Sequence, residues 1–295
     1  MRAFDYEKAF SRNIGWVTEA EQARLRTSRV AIGGLGGVGG VHLLTLARLG
    51  IGRFTVAELD TFDIVNFNRQ VGALVSTLGR PKIDVLSEMA RDIDPEIDLR
   101  AFPAGIQDNT LDGFLDGVDV YVDGLDFFAF AARRATFAAC ERKGIPVVTA
   151  APLGLGTALL VFGPGGMPFE DYFGFAGCAD ETEMALRFMV GLSPAMLHRG
   201  YVADMSRVRL AERMGPSCIA ACQLCAGAAA IEVLKLLLKR RGVKLAPWAS
   251  QFDGYRMRYA KTWRPWGYRN PLQRLMVFLA RAQLARAAKK EKNET

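Results

Sequence analysis

The sequence predicts an α/β protein with a doubly wound, mostly parallel sheet and an antiparallel C-terminal extension. Three observations indicate this fold class. Short apolar runs alternate with helical segments as far as residue 150, a glycine-rich loop joins the first run to the first buried helix, and the alternation ends beyond that point. Strands that alternate with helices are typical of parallel sheets covered by helices on both faces.

The composition is that of a globular protein. The chain has 295 residues, of which 50% are hydrophobic and 23% are charged, and this excludes a disordered or coiled-coil protein. The first ten residues carry four charged side chains and no apolar segment, so we expect no signal peptide and a cytoplasmic location. Five cysteines in such a chain predict no disulfide framework.

The first predicted elements form a βαβ unit. Residues 18–21 read Thr-Glu-Ala-Glu, a capping-box pattern that predicts the start of a helix, and the apolar run 30–32 predicts a strand. The glycine-rich loop 33–40 follows, and the dense apolar positions of 41–49 predict a buried helix. Residues 54–57 predict the second strand, which completes the unit.

Later elements continue the alternation. We expect, in chain order, a helix at Lys82–Arg91, strands at Ile97–Phe102 and Val118–Val122, a helix at Ala129–Lys143, and strands at Pro146–Thr149 and Ala158–Phe162. Beyond a glycine-rich turn at 163–166, the region to Met214 mixes loop with short helix. Polar residues interrupt the apolar stretch Cys218–Leu238 at helical spacing, which favours a buried core helix, and we expect no transmembrane segment.

The positive charge is concentrated at the C-terminus. From Arg264 onward the chain has eight basic and two acidic residues, a charge of +6 out of a net +7. We therefore expect one domain over residues 1–263 and a basic tail over residues 264–295.

The tail has the pattern of an amphipathic helix. Its apolar residues fall close to helical spacing among arginines: Leu272, Leu275, Met276, Phe278, Leu279 and Leu284. A basic amphipathic helix is able to bind an anionic membrane, an acidic partner or RNA. Packing of the apolar face on the protein's own domain, or on a dimer mate, is the favoured interpretation.

The glycine-rich loop predicts a phosphate site. Gly34, Gly36, Gly37 and Gly39 lie between a strand and a helix, where backbone N–H groups and a helix N-terminus hold anions. Asp60 follows at the end of the second strand, at the spacing of a carboxylate that accepts ribose hydroxyls. NAD and ATP both fit this pattern.

Residues further along favour ATP. Asn66, Arg69 and Gln70 lie just past the ribose carboxylate, and Lys82 begins the next predicted helix. A triphosphate needs several cations to stabilise charge as pyrophosphate leaves, whereas the two phosphates of a dinucleotide are bound largely by backbone. Arg69 and Lys82 are candidates for those cations.

At this point the sequence resembles the E1-like activating enzymes, the superfamily of ThiF, MoeB, HesA and the ubiquitin-type E1 adenylation domains. The motifs that carry the resemblance occur in the family's order: Ser11–Ile14, Gly34–Gly39, Asp60, Asn66–Gln70, Gly79–Lys82, Asp94–Pro95, Asp123–Asp126 and the later stretch Ala226–Leu238. They cover residues 10–165 and one later helix.

The resemblance implies a role for each matched nucleotide residue. It implies that Asp60 holds the ribose of ATP and that Asn66, Arg69 and Lys82 hold the phosphates. Gln70 is also expected among the nucleotide-binding residues.

The resemblance also implies a metal and a shared site. Asp126 would bind Mg²⁺ at the carboxyl end of its strand. Arg12 matches an arginine that reaches the triphosphate from the neighbouring protomer, so a homodimer is implied. Arg12, Arg69, Lys82 and Asp126 are thus the expected catalytic residues.

The reaction implied by the resemblance is adenylation of a carboxylate. A substrate carboxylate attacks the α-phosphorus of ATP and forms an acyl adenylate with release of pyrophosphate. The acceptor is the C-terminus of a small ubiquitin-like sulfur carrier or another carboxylate. Three alternatives stay open: a relative that acts on a threonylcarbamoyl group in tRNA, an NAD-dependent oxidoreductase, and a catalytically idle subunit that docks a partner through its tail.

Two departures from the family concern cysteines. Many relatives build a zinc site from two Cys-x-x-Cys pairs, but Cys222 and Cys225 form the only pair here, so we do not expect zinc. Some relatives use a cysteine as a thioester acceptor. Cys178 and Cys218 are the candidates by position, and neither is included among the catalytic residues.

A third departure follows Asp126. The family usually has Asn next and an arginine about five residues on, whereas Phe127 and Phe128 stand here and Arg133 and Arg134 come later. The sequence leaves open which of these two arginines serves the nucleotide.

Overall fold

The computed structural model describes residues 4–204, 207–208 and 215–294, with side chains as far as Gln283. The strands are β1 (Arg29–Gly33), β2 (Arg53–Ala57), β3 (Asp98–Phe102), β4 (Val120–Asp123), β5 (Val147–Leu153), β6 (Gly156–Phe162), β7 (Trp248–Asp253) and β8 (Arg258–Trp263). The α-helices are α1 (Tyr6–Ala9), α2 (Glu19–Thr27), α3 (Gly39–Arg48), α4 (Lys82–Ile93), α5 (Leu111–Phe114), α6 (Phe130–Lys143), α7 (Phe169–Phe173), α8 (Glu181–Leu192), α9 (Ile219–Leu237) and α10 (Pro271–Glu294).

The strands form one eight-stranded sheet in the order β3-β2-β1-β4-β5-β6-β7-β8. The first five strands in this order are parallel, and β6, β7 and β8 are each antiparallel to the preceding strand. This confirms the predicted parallel sheet with an antiparallel C-terminal extension. The carboxyl ends of β1, β2 and β4 meet at one edge, where doubly wound sheets bind ligands.

Both faces of the parallel strands are buried. Val30 and Ile32 of β1 face a core formed with α3, α4 and α9, while Ala31 faces a second core formed with α5 to α8. This burial explains why β1 is a continuous apolar run, since a parallel strand covered on both sides has no solvent face.

The second core is rich in phenylalanine. Its rings pack mostly edge-to-face or tilted, an arrangement that aromatic quadrupoles favour: Phe127, Phe130, Phe137, Phe162, Phe169, Phe173, Phe175 and Phe188. Phe127 is therefore a packing residue. The packing of Phe127 against Phe188 accounts for the phenylalanine that stands directly after Asp126, where the family usually has Asn.

The apolar stretch predicted as a core helix forms α9. Among the described residues, it is the one helix long and apolar enough to cross a membrane. It packs against β5, β6 and α3, with Cys225, Ala229 and Val233 fully buried. These contacts are those of a core helix, as predicted.

The start of the tail is helical and packs on the domain. Val277 and Ala280 of α10 are buried against Leu186 and Val190 of α8, with Met276 beside them. The predicted packing of the apolar face on the domain is wrong for Leu272, Leu275, Phe278 and Leu279, which are exposed. The domain boundary at residue 263 stays a prediction. The side chains of Leu284, Arg286, Lys289, Lys290 and Lys292 lie outside the described part of the chain.

His42 gives a test of the packing around α3. The side chain is 1% exposed, and neither ring nitrogen has a hydrogen-bond partner among the described residues. Desolvation lowers the pKa of His42 from 6.5 to about 4, so the unfolded chain binds a proton between these values and the folded chain does not. Stability should therefore fall by about 2 kcal/mol from pH 7.5 to pH 5.

Urea unfolding at the two pH values measures this change. A His42→Leu variant should lose about 2 kcal/mol of the pH dependence, because this titrating group is gone, while His198, whose pKa burial also lowers, contributes equally in both proteins. An equal pH dependence in the wild type and the variant would contradict the account of His42.

Candidate active site

The glycine loop packs against the end of β4 at distances that only glycine permits. A Cβ atom on Gly34 would lie 2.4 Å from the carbonyl oxygen of Gly124, and one on Gly39 would lie 1.8 Å from that of Gly34. Gly34 also has a φ of +82°, which glycine adopts at little cost. Two backbone hydrogen bonds hold the loop: Gly34 donates to Ala57 (2.8 Å) and Gly124 donates to Gly33 (2.9 Å).

The start of α3 is an open anion site. Its N-cap residue, Val38, makes no side-chain hydrogen bond to the first helical N–H groups. The N–H of Gly40 donates to the carbonyl oxygen of Gly36 (3.2 Å), so the other first-turn donors and the positive end of the helix dipole remain for a ligand. Gly36 and Gly37 are half-buried and meet only side-chain atoms, those of Gln70, Cys222 and Arg69. A phosphate is thus able to approach the backbone here.

The structure reveals a carboxylate that the sequence did not single out. Glu58, the residue directly after β2, is 8% exposed. Its Oε2 accepts from the N–H of Leu35 in the glycine loop (2.7 Å), and its Oε1 accepts from the N–H groups of Leu59 and Asp60. A carboxylate at the carboxyl end of a strand is a sequence signal for a ligand-binding residue, and Glu58 has it. The sequence assigns the ribose to Asp60 because its spacing from the glycine loop is the more familiar one.

Asp60 and Lys82 lie together. The Nζ atom of Lys82 is 3.0 Å from Oδ2 of Asp60, and the lysine side chain is 6% exposed whereas that of Asp60 is 58% exposed. Lys82 begins α4, as predicted. The buried lysine therefore has a solvent-facing carboxylate as its partner on the ligand side of the sheet.

The segment 66–70 brings polar groups to the glycine loop. Asn66 is buried and its Oδ1 accepts from the N–H of Asp63 (3.0 Å). Gln70 is 7% exposed, and its Oε1 has no hydrogen-bond partner in the part of the chain that the structure describes. An amide without a partner beside Gly36 is a group that a bound ligand would satisfy.

Arg69 lies across the loop. The stem of the side chain would contact a Cβ on Gly37 at 3.5 Å. Its Nη1 donates to the carbonyl oxygen of Val65 (2.9 Å) and to Oδ1 of Asn68 (3.0 Å). Both partners are neutral, so the guanidinium has no counter-ion among these hydrogen bonds.

Asp126 lies three residues past the end of β4 and is exposed. Its Oδ1 accepts from the N–H of Phe128 (2.9 Å), which closes a turn before α6. Within the described residues, no three acidic, histidine or cysteine side chains form a metal-binding group. Mg²⁺ commonly uses one or two carboxylates plus substrate phosphates, and Asp126 fits that donor set.

A buried ion pair holds the turn that carries Asp126. The Nε atom of Arg133 is 2.8 Å from Oδ2 of Asp123, and both side chains are almost fully buried. The same guanidinium donates to the carbonyl oxygens of Leu125, Asp126 and Phe127. Arg133 is thus occupied by the turn itself.

Arg134 is also engaged away from the loop. It makes two hydrogen bonds to the carboxylate of Glu170, at 3.0 and 2.9 Å. Both arginines that the sequence left open for the nucleotide therefore have protein partners. No sequence pattern predicts the Asp123–Arg133 pair.

Arg12 is the one predicted catalytic residue that the chain does not bring near the others. It is exposed in a 3₁₀ turn at Ser11–Asn13. The neighbouring Asn13 donates to the carbonyl oxygen of Leu49, just past the C-terminal end of α3 (3.3 Å). The glycine loop lies at the opposite end of that helix, about 15 Å away by helix geometry.

The cysteines near the loop are packing residues in this structure. Cys222 is buried against Val41 and Ala226, and burial raises its thiol pKa to about 11. Burial also raises the pKa of Cys178. Cys218 is half-buried at the N-cap of α9, beside the backbone hydrogen bond from Ile219 to Asn68.

The fold and the site together define an E1-like nucleotide-binding α/β protein. The family profile of the ThiF family matches residues 10–274, and the chain belongs to this family.

Individual relatives match mainly half of the chain. The chain is 34% identical over 141 residues to the tRNA threonylcarbamoyladenosine dehydratase of Bacillus subtilis (strain 168), covering 48% of this chain and 55% of that protein. It is 32% identical over 143 residues to the sulfur carrier protein ThiS adenylyltransferase of Escherichia coli (strain K12), covering 48% and 56%. The chain thus spans about half the length of the curated relatives it matches.

A solved structure shows the same fold. The E. coli tRNA N6-threonylcarbamoyladenosine dehydratase, TcdA, in complex with AMP has a TM-score of 0.58 and 19% sequence identity, with 79% of this chain and 95% of that chain covered.

The Asp123–Arg133 pair predicts a large difference between two adjacent arginines. Arg133→Met leaves Asp123 buried without its counter-charge, which should cost about 3–5 kcal/mol of unfolding free energy. Arg134→Met removes a partly exposed pair and should cost less than about 1 kcal/mol. Urea unfolding of the two variants measures both values, and similar losses would contradict the assigned role of Arg133.

Proposed function

We propose that the protein binds Mg·ATP at the glycine loop and transfers AMP to a substrate carboxylate, with release of pyrophosphate. The observation that carries the proposal is the uncapped N-terminus of α3, with the carboxylate of Glu58 on one side and the cations of Arg69 and Lys82 nearby. Membership of the ThiF family supports ATP over NAD as the nucleotide.

In this proposal Glu58 takes the ribose role that the sequence predicts for Asp60. Glu58 contacts the glycine loop directly through Leu35. A carboxylate has about four acceptor positions, so it retains capacity for a ribose hydroxyl beside its three backbone donors. Asp60 holds Lys82 until the nucleotide binds.

The triphosphate lies along the start of α3. Arg69 reaches it by exchanging two neutral acceptors for charged oxygens, which is favourable because hydrogen bonds between ions are the stronger ones. Lys82 exchanges an exposed carboxylate partner for phosphate. The free amide of Gln70 and the buried amide of Asn66 complete the polar lining.

Catalysis is positioning and neutralisation of charge. Mg²⁺ bound by Asp126 and the phosphates would neutralise charge that develops on the leaving pyrophosphate. The Arg133–Asp123 pair fixes the turn around Asp126 before substrate arrives, so little reorganisation is needed when the bond breaks. The substrate carboxylate is the nucleophile, and no protein nucleophile is required in this step.

The acceptor is a carboxylate at the end of a macromolecular substrate. The E. coli relative is named for a sulfur carrier protein and the B. subtilis relative for a modified tRNA. We propose the C-terminus of a small ubiquitin-like carrier as the first candidate and a threonylcarbamoyl group in tRNA as the second. The reaction consumes ATP and all five cysteines are free thiols, which fits a cytoplasmic location.

The surface of α9 supports a homodimer with shared sites. One end of α9 lies at the loop, since Cys222 would contact a Cβ on Gly37 at 3.3 Å. The other end lies near Arg12, because Arg240 donates to the carbonyl oxygen of Trp16 (2.9 Å). The exposed positions of α9 are Ile219, Ala220, Gln223, Gly227 and Ile231.

A two-fold axis through the middle of α9 would pair the helix with its copy in antiparallel orientation. The 19 residues of α9 span about 28 Å, and this pairing brings Arg12 of one chain to the glycine loop of the other. The surface at Gly227 is open, since a Cβ there would have no neighbour within 4 Å. Because glycine has no side chain, a second helix is able to approach the backbone closely at this position. A second copy would also cover Trp16 and Ile231, which are 84% and 58% exposed.

Isotope exchange between pyrophosphate and ATP, with each candidate carboxylate supplied, tests the adenylation. Asp126→Asn should slow exchange by about 10²- to 10³-fold through the loss of charge stabilisation and weaken ATP binding by much less. Asp116→Asn, which alters an exposed carboxylate paired with Arg100, is the control. ATP binding without exchange for any acceptor would favour the idle partner-docking subunit.

Mixing two inactive variants tests the shared site. In a heterodimer of Arg12→Ala and Asp126→Asn chains, one site regains both residues if Arg12 acts across the interface. Random pairing of equal amounts should restore about a quarter of the wild-type exchange rate. If the mixture stays as inactive as the separate variants, Arg12 does not act from the partner.

A further inference from the structure

The C-terminal helix has a second apolar face that the domain does not cover. Among the side chains described in α10, as far as Gln283, the buried ones are Gln273, Val277 and Ala280. The exposed apolar side chains are Leu272 (50% exposed), Leu275 (50%), Phe278 (66%) and Leu279 (50%). Their spacing of three and four residues places them in one stripe on the side of the helix away from α8.

Two exposed tryptophans precede the helix that carries this stripe. Trp263 and Trp266 are 54% and 67% exposed and stand just before the helix. The segment between is tied to the helix start, because Asn270 donates to the carbonyl oxygen of Pro265 (3.2 Å). We call these two tryptophans and the four side chains of the stripe the tail surface.

The tail surface lies in the basic part of the chain. Arg269 and Arg274 are exposed beside it. Residues 264–295 carry a charge of +6, and their two acidic residues, Glu291 and Glu294, lie near the end of the sequence. An occupant of this surface must therefore offer negative charge together with an apolar layer.

The helix presents this surface without leaving the domain. Arg281 of α10 is 2.9 Å from the carboxylate of Glu183 on α8, and the guanidinium of Arg187 lies 3.6 Å from the ring centre of Tyr268. The first contact holds α10 and the second holds the turn just before it on α8, so the exposed stripe is held in place while it meets a partner.

We propose that the tail surface binds the interface of an anionic lipid bilayer, with the leucines, phenylalanine and tryptophans among the acyl chains and the arginines at the headgroups. Tryptophan and basic residues flanking an apolar helix face are the features of interfacial membrane helices. A second copy would place one +6 segment against another, which like charge opposes. RNA would satisfy the arginines and leave the aliphatic side chains in water.

Co-sedimentation of the full chain with vesicles tests the proposal. We expect binding to vesicles in which phosphatidylglycerol replaces about a third of the phosphatidylcholine, at least about tenfold tighter than to phosphatidylcholine alone, and weakening as salt is added. The double variant Leu275→Glu, Phe278→Glu should lose about tenfold or more of this binding, since both side chains are exposed and their replacement leaves the packed face intact.

Two further variants make the test specific. Arg269→Glu with Arg274→Glu should also weaken binding to anionic vesicles. Met257→Glu alters an equally apolar side chain, 77% exposed at the turn before β8, and should change nothing. Circular dichroism and thermal melting verify that each variant is folded.

Three results would overturn the proposal. One is absence of binding to anionic vesicles by the wild type. Another is binding of tRNA, but not of vesicles, that the charge-reversed variant loses. The last is a wild type that forms oligomers and does not bind vesicles, together with a Leu275→Glu, Phe278→Glu variant that is monomeric. This result would identify a second copy as the occupant. Pyrophosphate exchange does not enter this test, so failure of the proposed adenylation leaves it unaffected.

Discussion

The close approach of Gly34, Gly39 and Gly124 is the contact on which the rest of the site depends. It presses the loop after β1 against the end of β4, so that the start of α3 and the turn carrying Asp126 come to the same edge of the sheet. A side chain at Gly34 or Gly39 would overlap backbone atoms, which cannot move aside as a flexible side chain can. The start of α3 and Asp126 are therefore positioned by one packing constraint.

Buried carboxylates secure the two sides of this arrangement. Glu58 ties the glycine loop to the end of β2 through Leu35, and Asp123 ties the turn after β4 to α6 through Arg133. The cations on the ligand side, by contrast, have neutral or exposed partners. A rigid frame with exchangeable cations suits the proposed binding of a highly charged nucleotide and release of pyrophosphate.

The sequence predicted the elements whose signal is local. The capping box of Thr18 and Glu21 forms as expected, and the glycine loop joins a strand to a helix where the pattern placed it. Contacts between distant residues were not predictable in this way. The Asp123–Arg133 pair joins a strand end to a helix, and nothing in the intervening residues marks it. The sequence does not predict β7 and β8 as separate strands, because polar residues interrupt the alternation of apolar side chains in this region.

A crystal structure with Mg²⁺ and an ATP analogue that cannot be split between its α- and β-phosphorus atoms tests the central claim most directly. The account predicts the α-phosphate at the N-terminus of α3, the outer phosphates within hydrogen-bond distance of Arg69 and Lys82, and a ribose hydroxyl on Glu58. A triphosphate directed away from Arg69 and Lys82, with Lys82 still paired to Asp60, would contradict it.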